Sequence, residues 1–294
     1  MTPADRIDWA LHHAMTAMPS SACSALGARL APLMGRRSNP AAHANATALF
    51  AALRPDWARD AATLEAAVDR LWDCTGRTYA EFAISHRLIR SGRVVFSGEK
   101  HLDAALASGR PVIALFLHTG NWEVSFMQLA FHAPGRAALI FDPPKQTARA
   151  AIALKVRRQA PFDLFPMSRM VWRRALGQLQ KPGGVLITAA DEAVNGAIGA
   201  PFFGRPQRSD GNLGKVARLA LRAGAIVVPF YNERHRGARF TTHVLAPLEF
   251  AGAAEDDAAV AAAVTMLNTI VTPPTLRLLD QWYMALMYRG PAAA

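Results

Sequence analysis

The sequence predicts an α/β fold: a mixed, largely parallel central sheet flanked by helices, with an N-terminal helical region and C-terminal helices. Three observations carry this. From Gly98 onward, short apolar runs alternate with amphipathic stretches, the texture of a sheet covered by helices. Before Gly98, apolar residues recur at helical spacing instead. The 294 residues, 51% hydrophobic and 19% charged, suffice for a sizeable core and lie far from the composition of disorder. The expected division is a helical region over 1–97, membrane-associated in one reading, and an α/β core with its C-terminal helices over 98–294, as one continuous domain.

The first residues carry acids at Asp5 and Asp8 and no charged-then-apolar layout ending in a cleavage site, so a signal peptide is not expected. The uncharged run 9–28 is broken by His12, His13, Pro19, Ser20 and Ser21, which argues against a membrane span. Two readings remain for it: an interfacial amphipathic segment with Trp9, Leu11, Met15 and Met18 toward lipid, or an ordinary packed helix. Helices follow at 20–34, 41–53 and 64–89, punctuated by Pro40, Pro55 and Gly92. Leu64, Val68, Leu71, Trp72, Tyr79, Phe82 and Ile89 form a core-facing stripe on the last. Strands are then expected at 112–117, 137–141, 185–189, 226–231 and 240–245, and helices at 122–131, 147–159 and 213–223. Helices at 256–270 and 275–287, separated by Pro273 and Pro274, close the chain.

Cys23 and Cys74 are too few and too isolated for a disulfide framework or a metal site. No metal and no bound cofactor are expected, and a reducing compartment fits. The net charge of +11 is concentrated: residues 136–181 hold ten Lys or Arg against Asp142 and Asp163, a local excess of +8. Such a patch suits phospholipid head groups, an acidic carrier protein or a phosphate-bearing substrate, or is simply a solvated basic surface. Nucleic acid is not expected, because no stacking aromatics interleave with the charge.

The chemistry centres on PVIALFLHTGNWEV, residues 111–124. A buried strand runs into His118, Gly120 allows a sharp turn, and Asn121 can cap a helix that begins with Trp122 and Glu123. The carboxyl end of a strand in an open α/β sheet is where ligands gather. Histidine titrates near neutrality and suits a general base that takes a hydroxyl proton. Glu123 is expected to orient its ring, and N–H groups at the helix start to hold an oxyanion. The motif contains no obvious nucleophile, which favours direct transfer over a covalent acyl-enzyme.

HTGNWE, preceded by GEKHLDAALASGRPVIALFL, resembles the lipid A biosynthesis (lauroyl and myristoyl) acyltransferases, within the lysophospholipid acyltransferase superfamily. The run DEAVNGAIGAPFFGRPQRSDGNLGKVARLALRAGAIVVPFYNER is similar to that family's second block, and LNTIVTPPTLRLLDQWYMALMYRG to its closing helices. The resemblance covers residues 20–290 and implies His118 and Glu123 as the catalytic pair, with Gly120, Asn121 and Trp122 in the active-site turn. It further implies Asp191 and Glu192 near the acceptor, Phe202, Phe203 and Gly204 as a cleft wall, and Arg158 as an arginine facing a phosphate or a carrier. The chain departs from the family at FDPPKQT, 141–147, where an arginine-proline-x-x-asparagine stretch is usual, and in its weak apolar N-terminus.

The resulting expectation is an O-acyltransferase at the cytoplasmic face of the inner membrane, peripherally or weakly anchored. It takes an acyl group from acyl carrier protein or coenzyme A and passes it to a hydroxyl of a lipid or glycolipid, beside an anionic membrane surface. An acyl thioesterase and a non-catalytic lipid-binding or carrier-docking protein are the alternatives. A nucleotide-binding protein is more distant, since no Gly-rich phosphate loop follows an expected strand.

Overall fold

The computed structural model describes residues 1–250 and 256–290, apart from the side chain of Met34. The end of the expected second region, residues 291–294, lies outside them. Six helices come first: α1 (Pro3–Ala17), α2 (Ser20–Pro32), α3 (Pro40–Leu53), α4 (Pro55–Ala58), α5 (Ala61–Glu81) and α6 (Ser85–Arg90). Then follow β1 (Val94–Ser97), α7 (Glu99–Ala107), β2 (Val112–Phe116), α8 (Trp122–Ala130), β3 (Ala137–Phe141), α9 (Thr147–Arg157), β4 (Phe162–Pro166), α10 (Val171–Leu179) and β5 (Val185–Ala189). A small hairpin, β6 (Glu192–Val194) and β7 (Ala197–Ala200), precedes α11 (Asn212–Ala223), β8 (Ile226–His235), β9 (Arg239–Val244) and α12 (Asp257–Arg277). Two 3-10 turns, Leu279–Gln281 and Tyr283–Met287, follow α12.

The main sheet has the order β1-β9-β8-β2-β5-β3-β4. Strands β8, β2, β5, β3 and β4 run parallel, while β9 turns back against β8 and pairs with β1. The expected mixed, largely parallel sheet is therefore present. Every residue of β2, β3 and nearly all of β5 is buried, as expected for strands covered on both faces. Ile113, Leu115 and Leu117 pack with α10, α11 and α12, whereas Val112, Ala114 and Phe116 pack with α7, α8 and the inner face of α9.

Each expected strand is found, but β1, β4 and the β6–β7 hairpin lie outside the expected set. β1 and β4 are short edge strands whose exposure alternates, so they lack the continuous apolar run that marks the central strands. The C-terminal helices also differ. Pro273 and Pro274 lie inside one continuous α12, which runs to Arg277, and 3-10 turns replace the expected second helix. Threonine hydroxyls brace the carbonyls around the prolines: Thr272 donates to Asn268 O and Thr275 to Val271 O.

The run 9–28 divides at Pro19 into α1 and α2, and its apolar residues do not form one lipid-facing stripe. Met15 and Met18 pack inward beside Cys23, Ala80 and Ile84, while Leu11 stays exposed with Ile7. α2 crosses α5 closely enough that a Cβ on Gly27 would meet Gly76 O at 2.4 Å. That crossing seats α5 so that its last turns reach beneath the carboxyl end of β2.

Candidate active site

β2 ends beside β5 on one flank and β8 on the other, with Phe116 opposite Ala189 and Phe230. Two residues past β2 stands His118; two residues past β5 stands Asp191. The Ala190 N–H donates to Phe116 O at 2.7 Å, which holds the two chain exits together. Asp191 Oδ1 then lies 2.8 Å from His118 Nδ1, and its Oδ2 accepts from the His118 backbone N–H at 2.9 Å. The Trp282 indole also donates to Oδ2, at 2.7 Å. The Asp191 side chain is fully buried and the His118 side chain 19% exposed. An ionised carboxylate only accepts, so Nδ1 carries the proton and Nε2 keeps its lone pair.

The carboxylate on the imidazole is thus Asp191, in place of the expected Glu123. Glu123 is buried and accepts from Arg157 instead, from Nε at 3.1 Å and Nη2 at 2.5 Å. Helix geometry explains this: the Asn121 cap turns Glu123 into the first turn of α8, toward α9. Phe82, Phe126 and Phe141 surround the Arg157 guanidinium, and Nη1 has no hydrogen-bond partner among the described residues. The arginine of α9 that reaches the site's flank is therefore Arg157. Arg158, at the C-cap, is exposed.

The turn from His118 to Trp122 is fixed at almost every peptide. Thr119 donates its hydroxyl to Asn232 O at 2.8 Å, the Gly120 N–H donates to Gln281 O, and the Asn121 N–H to Asn232 Oδ1. The Tyr283 N–H donates back to His118 O. Gly120 has φ +58°, and a Cβ there would stand 2.6 Å from Asn232 O, so the position suits only glycine. Asn121 is buried; it caps α8 through Val124 N and donates to Glu81 Oε2 at 3.0 Å. Gly120 and Asn121 are thus pins of the turn rather than walls of a cleft. Trp122 does face the site, its ring 5.3 Å from that of His118 and 5.0 Å from that of Tyr283. Its N–H and that of Glu123, at the start of α8, have no acceptor within the helix.

Beneath the turn, Arg234 makes a buried two-pronged pair with Glu81, at 2.7 Å on both oxygens, and donates to the Thr78 hydroxyl. Thr78 in turn donates to Gly120 O at 2.8 Å. Burial pulls the Arg234 pKa down, but the Glu81 carboxylate outweighs it and holds the guanidinium more firmly protonated than usual.

Farther out, Phe202 is buried in the core with α12, its N–H donating to Asn268 Oδ1, so it is not a cleft wall. Phe203 packs edge-on against Trp282 at 5.7 Å and supports the Asp191 contact from behind; Gly204 is exposed. Glu192 begins β6 and lies against Gly199 and Gly211. A groove of about 430 Å³ starts at Tyr283 and runs past Tyr79, Trp72, Ala42 and Leu286. A larger hollow of about 680 Å³ lies against α12, lined by Tyr231, Leu248 and Ile270, on the sheet face opposite Phe116. Among the described residues, one group could gather a cation, His43 of α3 with Glu65 and Asp69 of α5, and Arg36 already pairs with Glu65.

Sequence reasoning named His118 and Trp122, whose rings the structure brings together, and named Asp191 for a different role. It missed Glu81, Arg157, Asn232, Arg234 and Trp282. Their signal in sequence was faint: a buried ion pair reads as two ordinary charges until the fold joins residues about 150 positions apart.

A family model described as bacterial lipid A biosynthesis acyltransferase matches residues 5–284. Among curated proteins, the chain is similar to a phosphatidylinositol mannoside acyltransferase of Mycobacterium tuberculosis strain H37Rv, 29% identical over 150 residues, 50% of this chain and 46% of that protein. A second protein of that name, from strain CDC 1551 / Oshkosh, is 28% identical over 150 residues, with the same coverage. The matched stretch spans about half the length of these curated relatives.

Proposed function

Since the chain belongs to the bacterial lipid A biosynthesis acyltransferase family, we propose that it moves a fatty acyl group from an acyl thioester to a hydroxyl of a lipid or glycolipid. The observation that carries this is the His118–Asp191–Trp282 chain of hydrogen bonds at the end of β2. Asp191 holds the Nδ1–H tautomer, so Nε2 takes the acceptor's proton as its oxygen attacks the thioester carbon. As the tetrahedral intermediate collapses, the C–S bond breaks and the proton passes from Nε2 to the leaving thiolate. Asp191 stabilises the imidazolium formed between these steps. The N–H groups at the start of α8, which have no acceptor within the helix, are the donors nearest in sequence for the oxyanion. The buried Glu123–Arg157 pair, neutral as a unit, ties that helix start to α9.

An acidic acyl carrier protein is the donor favoured by the basic excess over 136–181, with coenzyme A the alternative. The names of the curated relatives favour a glycolipid acceptor. No step calls for a metal or a bound cofactor. The family resemblance favours the cytoplasmic face of the inner membrane, and α12 is long and apolar enough to cross a membrane, although part of it is buried in the fold.

Transfer from labelled acyl carrier protein to a membrane lipid extract tests this reading. The native protein is expected to give an acylated lipid, and His118→Ala to lose about 10²- to 10⁴-fold in rate. Free fatty acid as the main product would move the assignment to a thioesterase. Native-level transfer by His118→Ala would end the general-base assignment.

A further inference from the structure

The connections after β3 and β4 leave the sheet at the same carboxyl edge as His118. β4 lies three strands from β2, about 14 Å at the usual strand spacing. In the connection after β4, Met167 and Met170 are 46% and 49% exposed. Arg169 stands between them and Arg173 follows, both exposed, and Lys145 is exposed in the connection after β3. None of these three cations has a carboxylate partner among the described residues. α1 lies along α9 beside this edge, tied by Arg149 to Asp8 at 3.0 Å and by Lys155 over the Trp9 ring. It turns Ile7 and Leu11, one helical turn apart, outward at 60% and 48% exposed.

Large apolar side chains at a loop tip are unfavourable in water, and here they alternate with unpaired cations on neighbouring elements. We propose that this rim is the surface by which the protein rests on an anionic phospholipid bilayer. Met167, Met170, Ile7 and Leu11 enter the interface, while Arg169, Arg173 and Lys145 meet lipid phosphates. The proposal rests on the reading of transfer to a lipid acceptor, since it presents the edge that carries His118 to the membrane. At this rim an acidic protein partner is the poorer fit, because the methionines stand out from a loop rather than line a groove; the other cations of 136–181 remain for an acyl carrier protein.

Sedimentation with phosphatidylcholine vesicles, with and without phosphatidylglycerol, tests it. Arg169→Glu with Arg173→Glu is expected to weaken binding to the anionic vesicles at least tenfold and to flatten its salt dependence. Met167→Ser with Met170→Ser is expected to weaken binding to both kinds. Arg158→Glu with Lys181→Glu, exposed in the connections that enter β4 and β5 at the amino edge of the sheet, changes net charge equally and is expected to change vesicle binding less than twofold. Thermal melting confirms that each variant folds. Native-level vesicle binding by both rim variants would overturn the proposal. So would retained vesicle binding combined with weakened affinity for acyl carrier protein, which would make the rim a protein dock. Rim-dependent binding by a protein that acylates no lipid would support the docking surface and remove only the catalytic reading.

Discussion

At His118, one hydrogen bond decides what the imidazole can do. With Nδ1 held by Asp191 at 2.8 Å, Nε2 is the ring nitrogen left facing the site, and in the proposed reaction the buried carboxylate would stabilise the imidazolium formed there. Asp191→Asn is expected to lower kcat by about 10²- to 10⁴-fold with little change in KM, because the amide can present its N–H to Nδ1 and reverse the tautomer. Glu123→Gln removes charge from the Arg157 pair instead, so its loss is expected mainly in stability and KM. Steady-state kinetics on the two folded variants separates the carboxylates. A kcat loss in Glu123→Gln as deep as that of Asp191→Asn, at native stability, would return the orienting role to Glu123.

Among the elements, the turn between β2 and α8 depends on α5 and β8 as well as on its own Gly120 and Asn121. The Glu81–Arg234 pair lies under it, with Thr78 and Asn121 as its links to the backbone. Glu81→Gln leaves a buried guanidinium without its counter-charge and is expected to cost about 3–5 kcal/mol, measured by denaturant unfolding. A loss below about 1 kcal/mol would mean that solvent reaches the pair. A second tie joins β8, β9 and α12: Glu233 accepts from His243 at 2.8 Å and from Arg277 at 3.2 Å. Burial pushes its pKa up, but these partners outweigh burial and hold it below the usual glutamate value. Its stabilisation is therefore present above the unfolded-state value and lost as pH falls through the lower folded one. Glu233→Gln should accordingly melt earlier than the native protein at neutral pH, with the difference shrinking in acid; a difference constant across pH would refute the linkage.

Taken as a whole, the molecule uses its N-terminal helices as part of the foundation of the candidate site. Cys23, on α2, donates its thiol to Ala80 O, and Cys74, on α5, to Gly120 O; both are buried. Burial raises both thiol pKa values, that of Cys23 to about 11, so the reactive thiolate is scarce at neutral pH. In the native protein neither cysteine is expected to react with a thiol reagent within minutes, and both should react on unfolding. Fast labelling of Cys74 alone would show that α5 lifts from the turn independently of the sheet.

The alternation of buried runs and amphipathic stretches, read from sequence alone, determined the sheet, its covering helices and the place of His118 at a strand end. Those features are local, because strand and helix periods are written in consecutive side chains. Family membership was legible for a related reason: HTGNWE and the block from Asp191 to Arg234 are contiguous. Which carboxylate reaches His118 was decided only by the tertiary structure. Glu123 is five residues away in the chain but is turned aside by the first turn of α8, whereas Asp191, 73 residues away, is brought back by the pairing of β5 with β2. The short edge strands were likewise settled by pairing, β1 with β9 and β4 with β3, whereas the hydroxyls that brace α12 around its two prolines bond only four residues back.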